Sequence, residues 1–282
     1  MIPIRDDNPK FFLPAVTIGL IVINSLVFLV EIAQGPRMEN FIWKYGFVPA
    51  ELVHSREELR EEMEQAAPET LVKDRYGRVR VDFWGNAITR RVALPFKEVI
   101  AVPAWINIFT CMFMHGGWGH LLGNMLYLWI FGASVEQKLG GPAYLVFYIV
   151  TGLAGNLAHT AMEASVMPLV GASGAISGVM GGYILLYPRS RIYAIVPLGW
   201  YWFTARLPAW IFLGIYFFLQ NLFPALSGIV AGEQRSNVAF LAHIGGFLAG
   251  LVLVYFFPKR KLPYYARPAA AYADDDDADV VI

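Results

Sequence analysis

Cysteine is almost missing from this 282-residue sequence: Cys111 stands alone, which excludes an internal disulfide framework and a thiolate metal cluster. Aspartate is absent from the whole stretch between Asp82 and Asp274. No apolar segment there can use it, either as half of a carboxylate pair or as the third member of a triad. The zinc motif HExxH is lacking too, because His115 and His120 lie five apart with no glutamate between them. Charge is scarce and balanced. Charged residues make up 16% of the chain, and 22 basic residues offset 22 acidic ones, so there is no basic field for nucleic acid and no acidic field for a cationic partner. No motif asks for a metal or any other cofactor.

What is present in excess is apolar. At 57% hydrophobic residues and a mean hydropathy of +0.49, the chain is too apolar for a soluble domain of this length, and the lipid bilayer is its expected surrounding. Residues 1–10 are polar. Positions 11–33 carry one charge, Glu31, a run longer than the roughly 7–15 apolar residues of a secretory signal, so it reads as a first span. An outer loop over 34–106 holds half of the basic residues, with a solvated amphipathic helix around Glu51 to Glu64. Further spans are expected at 107–135, 142–162, 171–187, 208–226 and 238–257. The stretch 192–205, broken by Pro197 and Gly199, reads as an interfacial or buried approach. The tail 258–282 ends in Asp274 to Asp277 and is too charged to pack. The expected fold is therefore an all-α, six-helix membrane bundle. Arg5, Lys10, Lys138, Arg189, Arg191 and Lys259 to Lys261 share one side against Arg235 on the other, which places both termini in the cytoplasm.

Three stretches carry chemistry: His115-Gly-Gly-Trp-Gly-His120-Leu-Leu-Gly-Asn124, Val170-Gly171-Ala172-Ser173-Gly174, and Ala242-His243-Ile-Gly-Gly246-Phe-Leu-Ala-Gly250. Counted as spans two, four and six, their segments run the same way, and the polar residues sit early in each, in the outer half of the membrane. The fourth segment is short, about 26 Å against a hydrocarbon core of roughly 30 Å, so Ser173 can sit below the surface with water above it. Serine needs a base, and histidine is the usual one. With aspartate absent, a Ser173–His243 dyad is expected. His120 and Asn124 are i and i+4 on one helix face and can aim donors at an oxyanion, as can the Ser173 N–H at a helix N-terminus. Gly174, Gly178 and Gly182 on one helix, and Gly246 and Gly250 on another, are small-residue stripes that let backbones approach closely. Taken singly, Ser173 also reads as a helix-packing serine, and His120 with Asn124 as an interhelical clamp.

Together these motifs, with Gly132-x-x-x-Glu136-x-x-x-Gly140 and Gly171-Ala-Ser173-Gly174, resemble the bacterial six-helix rhomboid intramembrane serine proteases. The resemblance implies Ser173 as nucleophile, His243 as base, and His120 and Asn124 at the oxyanion, with Gly171, Gly174, Gly246 and Gly250 packing the site. It implies substrates that are transmembrane segments of other membrane proteins, and a setting in the bacterial inner membrane with the site open to the outer side. A rhomboid-like protein that binds membrane clients without cutting them is the alternative. Some members carry an aromatic residue one turn after the nucleophile, stacked on the catalytic histidine. Here that position is Ser177, so His243 must be held from elsewhere. Among the remaining polar residues, Glu136 is expected to tie the inner end of the second helix to backbone N–H groups. His115 is expected to shape the outer loop, His159 and Glu163 to lie at the solvated outer end of the third span, and Trp200, Trp202 and Trp210 to anchor at the interface.

Overall fold

A computed structural model describes residues 1–67, 69–71, 89–91, 93–198, 200–231 and 239–262. The expectations for the acidic tail and for Arg235 lie outside the described residues.

The chain opens with strand β1 (Ile2–Asp6), and the apolar run after Pro14 forms helix α1 (Ala15–Ala33), which stops at Gly35-Pro36. Within 34–106 lie helices α2 (Met38–Tyr45), α3 (Ala50–Val53), α4 (Arg56–Ala66) and α5 (Phe96–Val99), and the paired strands β2 (Glu69–Leu71) and β3 (Thr89–Arg91). A capping box starts α4: Ser55 Oγ accepts from the Glu58 N–H at 3.3 Å, and the Glu58 carboxylate accepts from the Ser55 N–H at 2.8 Å.

Helix α6 (Ala104–Thr110) leads through a 3-10 turn at Cys111–Phe113 to Gly117. There α7 (Trp118–Tyr127) begins, and it continues through a π-helical turn at Leu128–Gly132 into α8 (Ala133–Leu139). The segment expected as one span over 107–135 is thus divided, because the residues around Gly116 and Gly117 leave helical geometry. Next come α9 (Gly141–Met162), α10 (Ser173–Leu186) and strands β4 (Arg191–Leu198) and β5 (Tyr201–Pro208). The last helices are α11 (Ala209–Phe217), a π-helical turn at Phe218–Leu222, α12 (Phe223–Ala231) and α13 (Phe240–Leu253). Ala15–Ala33, Gly141–Met162 and Ala209–Ser227 are long and apolar enough to cross a membrane, and Ala104–Phe113, Ser173–Leu186 and Phe240–Phe256 are shorter apolar helices.

The expectation of an all-α chain needs correction, since the architecture is mostly helical with a sheet at one end. Strands β4 and β5 pair antiparallel as a hairpin that takes β1 as its third strand, in the order β1-β4-β5. Pro197 forbids a helix there, and the β-branched and aromatic residues on either side favour strand. The hairpin closes on itself. Ala209 donates its N–H to the Ser190 carbonyl at 2.8 Å, so the chain enters α11 beside the point where it left α10.

The N-terminal segment is strapped to the helix ends below it. Asp6 accepts from the Tyr183 hydroxyl at 3.0 Å and pairs with Lys10, and both contact Ser134. Asp7 accepts from Ser190 Oγ at 2.8 Å and the Arg191 N–H at 2.9 Å. Glu136 behaves as the sequence suggested. Its carboxylate accepts from the N–H groups of Val16 and Thr17 at 3.0 and 2.8 Å and from Thr17 Oγ1 at 2.7 Å, so a side chain of α8 satisfies the open N-terminus of α1.

A second, smaller apolar layer sits under the 34–106 segment, built from Trp43, Val48, Ala50, Leu59, Met63 and Val99. Beside it Glu51 has one carboxylate oxygen buried without a partner. Desolvation pushes its pKa up to about 7, against smaller opposing effects from the Ala104 N–H and Arg56. The folded form therefore holds this proton more tightly than the unfolded chain does. The resulting stability is fully present below the ordinary value of 4.5 and is lost as pH rises through about 7. Amide exchange at Leu59 and Met63, corrected for its intrinsic pH dependence, should quicken between about pH 5 and about pH 8. Glu51→Gln should remove that excess, and an excess that survives the substitution contradicts this assignment.

Candidate functional site

Ser173 opens α10, and the N-cap residue Ala172 supplies no side-chain bond to the N–H groups of the first turn. The strand of chain leading to it is held on two sides. Leu169 exchanges backbone hydrogen bonds with Phe47 at 2.7 and 3.0 Å, and Gly171 donates its N–H to the Cys111 carbonyl at 2.8 Å. Gly171 has φ of +134°, and a methyl group there would lie 2.8 Å from His120 Cε1, 2.9 Å from His120 Nε2 and 3.4 Å from Ser173 Oγ. Only glycine fits the position. His120 and Ser173 accordingly converge on the Gly171 Cα.

His243 lies in the first turn of α13, and its Nε2 is 2.7 Å from Ser173 Oγ. Glycine makes that distance attainable. A methyl on Gly246 would overlap the Gly174 carbonyl oxygen, and one on Gly250 would overlap the Gly178 carbonyl oxygen. The register advances in step, so α10 and α13 run parallel with their backbones in direct contact. Between apolar helices in lipid there is little hydrophobic drive, and close packing of small residues supplies the adhesion. On the other side α9 runs antiparallel, with Thr151 against Gly178 and Gly155 against the Ala242 carbonyl. Gly182, which shares the stripe in sequence, faces Phe147 and Val254 instead of α13's glycines.

Asn124 lies one turn beyond His120 on α7, 8% exposed, with a buried Nδ2 that has no protein partner. His115 packs edge-on to His120, ring centroids 5.1 Å apart, and donates its backbone N–H to the buried Glu31 carboxylate at 3.2 and 3.3 Å. His159 departs from expectation. It is 4% exposed, with both ring nitrogens buried and without a protein partner, because the last turns of α9 pack into the bundle beside α13. A cavity of about 20 Å³ touches Ser173, Gly171 and Asn156, enough for about one water molecule. Asn156 donates to the Ile108 carbonyl at 3.0 Å and fixes this wall.

One side chain at the pair was not singled out in the sequence. Asn221 Oδ1 accepts a hydrogen bond from His243 Nδ1 at 2.7 Å. An amide inside the apolar stretch 208–226 is the signal the sequence offers for it. Ser177, one turn after Ser173, pairs its hydroxyl with that of Tyr216 at 3.0 Å.

Fold and site together define a mostly helical membrane protein with a hydrogen-bonded serine and histidine held between two parallel helices. The rhomboid domain family matches residues 103–260, and the chain belongs to the rhomboid family. It is similar to Rhomboid-like protein 11, chloroplastic, of Arabidopsis thaliana, 32% identical over 164 residues that cover 56% of this chain and 54% of the relative. It is similar also to Rhomboid protein 1, mitochondrial, of Saccharomyces cerevisiae, at 30% identity over 163 residues, 56% of this chain and 43% of the relative. A third relative, Rhomboid protease GluP of Bacillus subtilis, is 29% identical over 161 residues, 56% of this chain and 28% of that protein. The matched regions thus span about half or less of these relatives.

The glycine contacts rank two substitutions. Gly250→Ala forces a methyl into the Gly178 carbonyl, whereas at Gly174 the nearest atom to an added methyl is 3.6 Å away, an ordinary contact. The thermal unfolding midpoint in detergent should fall for Gly250→Ala by a shift worth about 1–3 kcal/mol and change little for Gly174→Ala. Equal effects contradict the close approach.

Proposed function

We propose that this chain is an intramembrane serine endopeptidase that cuts peptide bonds in or near the transmembrane segments of membrane-protein substrates through a Ser173–His243 dyad. The observation that carries the reading is the 2.7 Å contact between Ser173 Oγ and His243 Nε2. Geometry comes first in recognising a nucleophile and its base. Membership of the rhomboid family and the similarity to a rhomboid protease of Bacillus subtilis agree with it.

In the proposed reaction the Ser173 oxygen attacks the scissile carbonyl carbon as its proton passes to His243 Nε2. The oxyanion formed at the carbonyl oxygen is met by the unpaired Asn124 Nδ2, by His120 and by the N–H groups that open α10. Collapse breaks the C–N bond, and His243 returns the proton to the departing amine. Water then repeats the sequence on the acyl-enzyme and restores Ser173. Both Ser173 and His243 are half-buried, a setting that admits water and a bent or unwound substrate strand while keeping electrostatic contacts strong.

The finer fold belongs to the same proposal: six spans, with the 34–106 segment outside, both termini on the cytoplasmic face of a bacterial plasma membrane, and the site open to the opposite side. The β4–β5 hairpin supports this count, because its base joins Ser190 to Ala209 and returns the chain to the end it left. Reporters placed after residues 140 and 190 should then be cytoplasmic, and one after 235 should be outside.

The decisive experiment is cleavage of a single-span model substrate in proteoliposomes. Ser173→Ala or His243→Ala should each lower kcat by at least about 10³-fold, and Asn124→Ala by about 10²-fold or more. Cleavage that survives either dyad substitution contradicts the reading. Binding of such segments by the native protein with no cleavage of any would favour the client-binding alternative.

A further inference from the structure

The dyad as described leaves His243 with a second ring nitrogen, Nδ1, and a histidine serves as base only if its proton sits on the nitrogen facing away from the serine. Its ring must also be kept from rotating. Ser177, one turn after the nucleophile, offers no aromatic ring for the second task. We propose that Asn221 is the positioning residue for His243, fixing both its tautomer and its ring plane. The inference rests on the reading of Ser173 and His243 as the reacting pair.

Asn221 is 1% exposed and lies in the π-helical turn Phe218–Leu222. A π-turn inserts one extra residue into the helical ladder and so rotates the following side chains relative to a continuous helix, and such turns gather at functional sites. From this turn Asn221 Nδ2 donates to the Tyr216 carbonyl at 2.9 Å. That bond decides which way the amide faces: were it reversed, two oxygens would oppose each other. With Nδ2 committed to Tyr216, Oδ1 is the atom 2.7 Å from His243 Nδ1. An amide oxygen can only accept, so Nδ1 carries the hydrogen, Nε2 carries the lone pair, and Ser173 Oγ–H donates to it at 2.7 Å.

The chain of contacts extends one step further back. Ser177 bonds the Tyr216 hydroxyl, and Tyr216 in turn holds the Asn221 amide through its carbonyl. Ser177, Tyr216, Asn221 and His243 thus form one run of contacts, with two residues between Ser177 and the imidazole. A neutral amide orients an imidazole as the aspartate of a triad does, without adding the carboxylate's charge; this suits a span in which an ionised group would be costly.

The test uses the full chain, ¹⁵N-histidine labelled, in lipid nanodiscs, and the near-isosteric Asn221→Leu with the acceptor-retaining Asn221→Asp. In the native protein the His243 ¹⁵N shifts should report protonated Nδ1 and unprotonated Nε2. Asn221→Leu should mix the tautomers and lower kcat by about 10²- to 10³-fold with KM little changed, whereas Asn221→Asp should keep the tautomer and retain more of kcat than Asn221→Leu. Native kcat in Asn221→Leu overturns the proposal. So does a fall in kcat with the tautomer unchanged, which would mark a packing role only. If instead Ser173→Ala and His243→Ala leave cleavage intact, it is the dyad itself that falls.

Discussion

The structure depends on backbone-to-backbone contact between α10 and α13. Gly246 and Gly250 bring the Cα atoms of one helix against the carbonyl oxygens of Gly174 and Gly178 on the other, leaving no room for a methyl group. Helices normally pack 8–10 Å apart because side chains intervene. Removing the side chains shortens that separation, and a serine at the start of one helix then reaches a histidine in the first turn of the other. Both residues lie within about one turn of the glycine contact, so little flexible side chain separates the packing constraint from the polar pair.

Contacts at both ends brace α10. At the far end, Asp6, Asp7 and Asn8 hold Tyr183 and Ser190 at the exit of α10, and the sheet β1-β4-β5 closes over them. At the near end, Phe47 clamps Leu169 and Cys111 holds Gly171, so the 34–106 segment reaches the site through the backbone that precedes Ser173. Glu136 joins α8 to the start of α1, and Glu31, at the other end of α1, takes the His115 N–H. The two carboxylates meet backbone donors that would otherwise be unsatisfied in an apolar setting.

Much of the site was legible in the sequence because its determinants are local. Small residues four apart predict a close helix contact, and histidine and asparagine four apart share a helix face. Counting apolar segments puts Ser173 and His243 early in segments that run the same way, and their side chains lie 2.7 Å apart. What was not legible depends on register. Asn221, which meets His243, lies in a π-turn, and no periodicity in Phe218–Leu222 announces that turn. His159 reads as an interfacial residue from its place near the end of α9, yet neighbouring helices bury it. The hairpin is hidden for a related reason: its sequence is apolar enough for a membrane segment, and the pairing of β4 with Ile2–Asp6 is a contact across most of the chain.

The central claim is that Ser173 is made nucleophilic by His243. The most direct measurement is labelling of the native protein in lipid with a fluorophosphonate, followed by mapping of the adduct by mass spectrometry. The account predicts a single modified serine, Ser173, with labelling abolished by His243→Ala. An adduct elsewhere, or one that forms on Ser173 as fast without His243, would contradict it.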